Sequence, residues 1–451
     1  MNTQLFCIAD QRPPRWQATP AREAPSACRH RYRSTLVAAL CATALAGPPA
    51  VANEEQASSS GGLFNASLSG DWSGWRTTLA EHGVFIDIAN TTDLFANLDG
   101  GVKQATSLSN LVEASVLLDL QTLAGLKGGT FYMLAVGTHG EDPAELTGTV
   151  HAPSNLAADD AFRLMECWYE QALWHQRLGL LLGLYAVDSE FDAKETADVF
   201  VNGGFGTGLD LSETGLNGPS IFPTTSLGMR LRADLGSQFT FRLAVVDGVP
   251  GDPDEPEATE VHLRDGDGLL FLGEINYQPS DFDFLRLGLG SWRYTTDFED
   301  LVDTTAGGDP VIRDDSWGVY GFAEGIIFNE AGDHEQGLSG FIRLGYADED
   351  VNQFENYYGA GLVYTGLLPG RDDDVLGLGI STGVNGDKFK TAQRLAGSPV
   401  TDSETVVELT YHAQVLPWLS LQPVLQYSFD PGTDPQLDNS LAAGLRLGIG
   451  L

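Results

Sequence analysis

The chain has 451 residues, with 25 Lys+Arg against 62 Asp+Glu and a formal net charge of −37 at pH 7. That acidity excludes nucleic acid as a partner, because binding there depends on cations meeting phosphates. Three of the four cysteines (Cys7, Cys28, Cys41) fall in the first 52 residues, so no disulfide framework is available to the rest, and no run of about 18 apolar residues offers a transmembrane helix.

Arg29, Arg31 and Arg33 precede the apolar run Leu36 to Ala46, which is followed by Ala50-Val51-Ala52. A basic flank, a short apolar core and an A-x-A site make a secretory signal peptide, cut before Asn53. Residues 1–28 are long and Pro/Arg-rich for such a segment, as a start codon set too far upstream would make them. Cleavage removes six arginines and two acids, leaving the chain more acidic still. The expected organisation is a signal peptide over 1–52, a flexible leader and short periplasmic helix over 53–83, and one β domain over 84–451. Within the leader, Gly70 to Gly83 reads as the helix: Trp75, Leu79 and Ala80 have helical spacing and Gly83 suits a C-terminal cap. Cys167 is expected to be a small buried or lipid-facing hydrophobe.

From Val84 onward the pattern has a period of two, the mark of strands with unlike faces. About sixteen segments fit: 84–97, 110–120, 129–139, 162–172, 178–187, 224–234, 238–247, 268–278, 282–294, 316–328, 338–348, 354–366, 374–384, 405–415, 418–429 and 440–451. Leu227, Met229 and Leu231 alternate with Gly228, Arg230 and Arg232. In the last segment Leu445, Leu447 and Ile449 alternate with Arg446 and Gly448. Alternation alone fits a soluble sandwich or a membrane barrel. The connections separate the two. Those after even-numbered segments are mostly short (Trp174–Arg177, Gly236–Ser237, Leu416–Pro417), and those after odd-numbered segments are often long (140–161, 188–223, 248–267, 295–315, 385–404). Tight turns at one end and long loops at the other are the asymmetry of a transmembrane β-barrel. The expected fold is therefore all-β: a 16-stranded antiparallel transmembrane β-barrel with a short N-terminal helix, closed by pairing 440–451 with the strand near Val84. Sixteen strands enclose an aqueous channel. Trp168, Trp174, Trp292, Trp317, Tyr357, Tyr358 and Trp418 lie near segment ends, where girdle aromatics belong.

No HExxH, GxSxG, phosphate loop or CxxC is present, so no catalytic site is assigned. The histidines share no metal-ligand spacing, and Asp252, Asp254, Glu255 and Glu257 lack the order of a calcium loop. No cofactor and no metal are expected. Asp372-Asp373-Asp374 after Arg371 reads as solvated charge or local pairing. The polar parity of the strands is more informative. Glu166, Trp168, Glu170, Arg230, Arg232, Arg242, Glu274, Arg286, Arg343 and Glu408 should project into the lumen as substrate-contacting or pore-lining groups. So should Glu113 and Glu324. Guanidinium groups can give bidentate hydrogen bonds to vicinal hydroxyls, and carboxylates can accept hydroxyl protons. These charges can equally pair with one another across neighbouring strands. Asp188 to Pro223 is too long for a turn and apolar enough to fold back. Inside the barrel it would narrow the channel; over the outer rim it would not.

Motifs from end to end then match a family. They include Leu68-Ser-Gly-Asp-Trp-Ser-Gly-Trp-Arg76, Phe162-Arg-Leu-Met-Glu-Cys-Trp-Tyr-Glu-Gln171, Asp188-Ser-Glu-Phe191 and Val199-Phe-Val-Asn-Gly-Gly-Phe-Gly206. Pro369-Gly-Arg-Asp372, Glu404 to Tyr411 and Pro417 to Tyr427 follow. The chain resembles the OprB-type carbohydrate-selective porins of Gram-negative outer membranes. The resemblance implies a sixteen-stranded barrel that passes sugars or polyols by diffusion through a charged and aromatic constriction. It implies outer-membrane lipid and lipopolysaccharide as surroundings, with a monomer or a homo-oligomer both open. Arg163, Glu166, Trp168 and Glu170 match one family segment, and by parity Glu166, Trp168 and Glu170 point inward and Arg163 lies at the rim. The final residue is Leu where the family more commonly has an aromatic. A cation-preferring or general solute porin on the same barrel is the alternative, because acidic loops concentrate cations.

Overall fold

The computed structural model describes residues 67–253, 259, 261, 263–264, 266–282, 284–330 and 336–451. The expected signal peptide, most of the leader and the acidic run at 254–257 lie outside the described residues.

All sixteen expected strands are present. In chain order they are β1 (Val84–Asp99), β2 (Thr106–Asp119), β3 (Gly129–Gly140), β4 (Ala161–Leu173), β5 (Leu178–Tyr185), β6 (Ser226–Leu235), β7 (Phe239–Asp247), β8 (Leu269–Tyr277) and β9 (Leu285–Tyr294). A separate hairpin, β10 (Phe298–Thr304) with β11 (Pro310–Arg313), interrupts the series. The barrel resumes with β12 (Ser316–Asn329), β13 (Gly337–Ala347), β14 (Phe354–Thr365), β15 (Val375–Asn385), β16 (Ser403–Leu416), β17 (Leu419–Phe429) and β18 (Ser440–Gly450). Each barrel strand pairs antiparallel with its neighbours, and β18 closes on β1. Closure leaves no edge of unpaired amides, a requirement for strands in lipid.

The alternation assigns the faces. Leu94, Met229, Leu243, Leu289, Ile342 and Leu445 are exposed on the outside, while Asp93, Arg230, Glu274, Arg343 and Arg446 are buried on the inside. The closing seam carries an ion pair in register. Asp93 lies opposite Arg446, whose Nε and Nη2 donate to the two Asp93 carboxylate oxygens at 2.8 and 2.7 Å.

The short turns share one end of the barrel with the N-terminal helix, α1 (Trp75–Glu81). Gly83, with φ +81°, turns the chain out of α1 into β1. The helix does not pack as its apolar spacing predicts. Trp75 is 66% exposed, and the buried residue is Arg76. Its guanidinium donates to the Leu451 carbonyl at 3.0 Å and so ties the helix to the end of β18. A second helix, α2 (Asp387–Leu395), lies in the β15–β16 connection, where the strand pattern alone predicts a long loop. Lys388 of α2 and Arg313 of β11 share Asp300, Asp303 and Asp350, clasping three loops together at the long-loop end.

Two expectations about side-chain direction fail. Arg163 is buried inside rather than placed at the rim, because β4 carries one extra residue: Leu134 pairs with Glu166 while Ala135 pairs with Leu164. This bulge resets the parity, so Arg163 and Glu166 face the same side. Trp292 and Tyr357 are not girdle residues; both point inward and are fully buried, whereas Trp317 and Tyr358 do face outward. Asp374 settles the Arg371 turn as local pairing, since it receives Arg371, the Tyr411 hydroxyl and the Gln414 amide.

Candidate functional site

The lumen is occupied by chain. The β5–β6 connection, residues 186–225, folds into the barrel, and its Val199, Phe200, Val201, Phe205, Leu209 and Leu211 are buried there. The wall makes room with glycine. A Cβ on Gly379 would stand 2.6 Å from Phe205 Cε1, and one on Gly361 would stand 3.0 Å from Phe200 Cε2. Phe200 and Phe205 stack on each other at 4.4 Å and meet Phe341 edge-on. Burying these rings against a glycine-lined wall supplies the apolar drive that turns the loop inward.

Polar pins complete the attachment, because a backbone removed from water must find partners. Three wall carboxylates accept loop amides. Glu274 takes Asp192 N at 2.8 Å, Glu324 takes Thr196 N at 2.7 Å, and Glu408 takes Val201 N and Asn202 N at 2.8 Å each. Arg343 is the central cation. It donates to both oxygens of Asp192 and to Asp210, between the rings of Tyr320 and Tyr357 at 5.3 and 4.8 Å. Burial pushes both loop carboxylates up. Arg343 and Lys194 outweigh it at Asp192, which ends below its ordinary range, whereas Asp210 stays raised.

A second connection, between β3 and β4, also turns inward, and strand parity carries no signal for it. Val150 N and His151 N donate to Glu404, as the His151 ring does from Nδ1 at 2.7 Å. Ser154 Oγ reaches Asp93, and Asn155 accepts from Arg446. The two inward loops meet where Asn155 N donates to the Val201 carbonyl and Gly203 N to Ala152.

The ten expected lumenal residues therefore have unlike settings. All ten face inward. Glu274, Arg343 and Glu408 are buried beneath the large loop, and Glu166 is buried as the acceptor for Trp168 Nε1 at 3.0 Å. Arg232 pairs along its own strand with Asp234, near the short-turn end. The remaining five lie along β4, β6, β7 and β9. Arg230 bridges Glu190 and Glu170, Arg242 lies 3.6 Å from Glu274, and Arg286 pairs with Glu324 and lies 3.7 Å from Glu195. Trp168 stands beside Tyr132, ring centroids 5.1 Å apart. Burial raises Glu190, but Arg230 and Arg242 outweigh it and hold its carboxyl at about 2. Glu190, Glu195 and Tyr132 were missed by strand parity: two lie on the loop, and Tyr132 follows from its register opposite Trp168.

The chain that builds this arrangement has relatives. The model of the carbohydrate-selective porin, OprB family, matches residues 103–451. The chain is 25% identical to Porin B of Pseudomonas aeruginosa over 415 residues, covering 84% of this chain and 90% of that one. The high-pH structure of Pseudomonas putida OprB superposes with a TM-score of 0.78 at 21% identity, covering 86% of this chain and 99% of that one. Its low-pH structure gives 0.56 at 17% identity, covering 86% and 98%.

Proposed function

The chain belongs to the OprB family of carbohydrate-selective porins, and from that footing we propose that it carries small sugars and polyols by passive diffusion across the outer membrane, through the gap between the inward loop and the wall of β4, β6, β7 and β9. The long loops face outward from the cell, the short turns and α1 face the periplasm, and the apolar outer face meets lipid and lipopolysaccharide. Residues 1–52 direct export and are removed before Asn53.

One observation carries the reading: the wall guanidiniums Arg230, Arg242 and Arg286 are each already paired with a carboxylate, and the adjoining Trp168 and Tyr132 rings stand on β4 and β3 of the same barrel wall. Paired charges present donors and acceptors to hydroxyl groups while cancelling much of the field that would hold an ion. An aromatic face suits the C–H side of a sugar ring.

Liposome swelling over a series of sugars of rising size, with salts as controls, tests it. Monosaccharides should enter faster than larger oligosaccharides. Exclusion of all sugars with free passage of small cations would refute the carbohydrate reading and leave the cation channel.

A further inference from the structure

Building on that reading, we infer that Arg230 is a positioning residue that fixes the width of the gap, and that the carboxylates it holds, Glu190 and Glu170, are the groups a permeating solute meets.

The exposures order the three side chains. Arg230 is 3% exposed, against 21% for Glu190 and 23% for Glu170. Nε and Nη2 of Arg230 donate to the two oxygens of Glu190 at 2.6 and 2.9 Å, and Nη1 donates to Glu170 at 3.1 Å. Glu190 belongs to the inward loop, Arg230 to β6 and Glu170 to β4. The guanidinium is thus a cross-link between loop and wall. Its planar fork is committed to carboxylates and is turned away from water.

The surroundings favour this placement. The Tyr185 hydroxyl donates to Glu190 Oε2 at 2.6 Å, fixing the loop carboxylate from its other side. Gly179 of β5 leaves the space in which the bridge lies: a Cβ there would stand 2.4 Å from Glu170 Oε1 and 3.2 Å from Arg230 Nη1. Arg286 repeats the order against Glu195 of the loop, 14% to 53%, and reverses it against the buried wall residue Glu324, as Arg242 does against Glu274 at 15% to 1%; the order therefore holds for the loop carboxylates and not for the buried wall ones.

What the solute meets here is acceptor-rich: two carboxylates beside Trp168, two residues along β4 from Glu170. Carboxylates accept from sugar hydroxyls, and they favour small cations over small anions. The solute class is an uncharged, hydroxyl-rich molecule, with inorganic anions discriminated against.

Single-channel recordings under a KCl gradient, with swelling assays on the same preparations, separate the roles. Glu170→Gln should lower the cation-to-anion permeability ratio about twofold with little change in the sugar size limit, whereas Glu190→Gln should lower the ratio by a similar factor and also raise the size limit, because it weakens the loop side of the cross-link. Arg230→Lys keeps the charge but loses the fork, so the size limit should rise while the permeability ratio holds. Folding of each variant is checked by its heat-modifiable gel migration. Unchanged ion selectivity in both glutamine variants, or an unchanged size limit in Arg230→Lys, overturns the inference. If wild-type protein passes no sugar, the functional reading fails by itself, and the selectivity ratios with the size limit for uncharged polyethylene glycols still decide the placement of Arg230.

Discussion

Replacing Arg446 by Met cuts the ion pair at the seam where the barrel closes. The guanidinium gives three charge-assisted hydrogen bonds, two to Asp93 and one to Asn155 at 2.7 Å. Both partners are buried. Removing one member of a buried pair leaves an uncompensated charge and costs about 3–5 kcal/mol. Asp93 would keep only Ser154 among the partners that reach it from the inward loop. The double variant Asp93→Leu/Arg446→Met removes both charges, so its cost should fall to about 1–3 kcal/mol, the value for leaving Ser154 and Asn155 short of partners. Urea unfolding in lipid vesicles, followed by tryptophan fluorescence, measures all three. The reasoning fails if the Arg446 variant loses under about 1 kcal/mol, or if the double variant costs the sum of the two singles.

Gly379→Val places a branched side chain where Phe205 and Phe200 now sit; it should destabilise the protein by about 1–3 kcal/mol and widen the channel, read as increased conductance. Trp168→Ala should slow monosaccharide entry in the swelling assay while leaving KCl conductance nearly unchanged. The loop clasp has a predictable pH window. Burial would raise Asp300, but Lys388, the Asp303 and Val302 amides and Arg313 hold it well below the usual carboxylate range. Its contribution is present above the unfolded value of about 4 and fades as pH falls toward the folded one. The Lys388 amine is raised by Asp300, Asp303 and Asp350 against its burial, so its contribution is lost only as pH rises above about 10. Hydrogen-exchange protection factors of 295–304 and 387–395, taken against the intrinsic rate at each pH, should stay flat from about pH 5 to 9 and fall below about pH 4; an opening midpoint near neutrality would contradict this.

The sixteen strands were legible because each is written locally. A period of two fixes the faces, and alternating connection lengths fix the ends. Parity stops at the face, however. Arg242 and Glu408 carry the same inward signature, yet one keeps 15% of its side chain exposed and the other is sealed under Val201 and Asn202. What lies opposite an inward residue is a fact about another segment of chain. Arg163 shows the smaller limit, since a single bulge residue in β4 inverts the count.

A signal for the filled lumen was nonetheless present. An inward glycine gains nothing from facing water in an open channel, and it weakens its strand. Gly361, Gly377 and Gly379 all face inward, while the long β5–β6 segment carries Phe200 and Phe205. Small wall positions together with bulky loop residues mean contact. Once the loop is inside, wall carboxylates at the same level become anchors before they become filters. Glu408→Gln separates the two roles. A carboxylate accepts both the Val201 and Asn202 amides, whereas a carboxamide offers one acceptor oxygen and a donor facing a donor. An anchor predicts a stability loss of about 1–3 kcal/mol with faster exchange at Val201 and Asn202, and unaltered ion selectivity until the loop lifts. A filter predicts altered selectivity at full stability, and that outcome would return Glu408 to the pore lining.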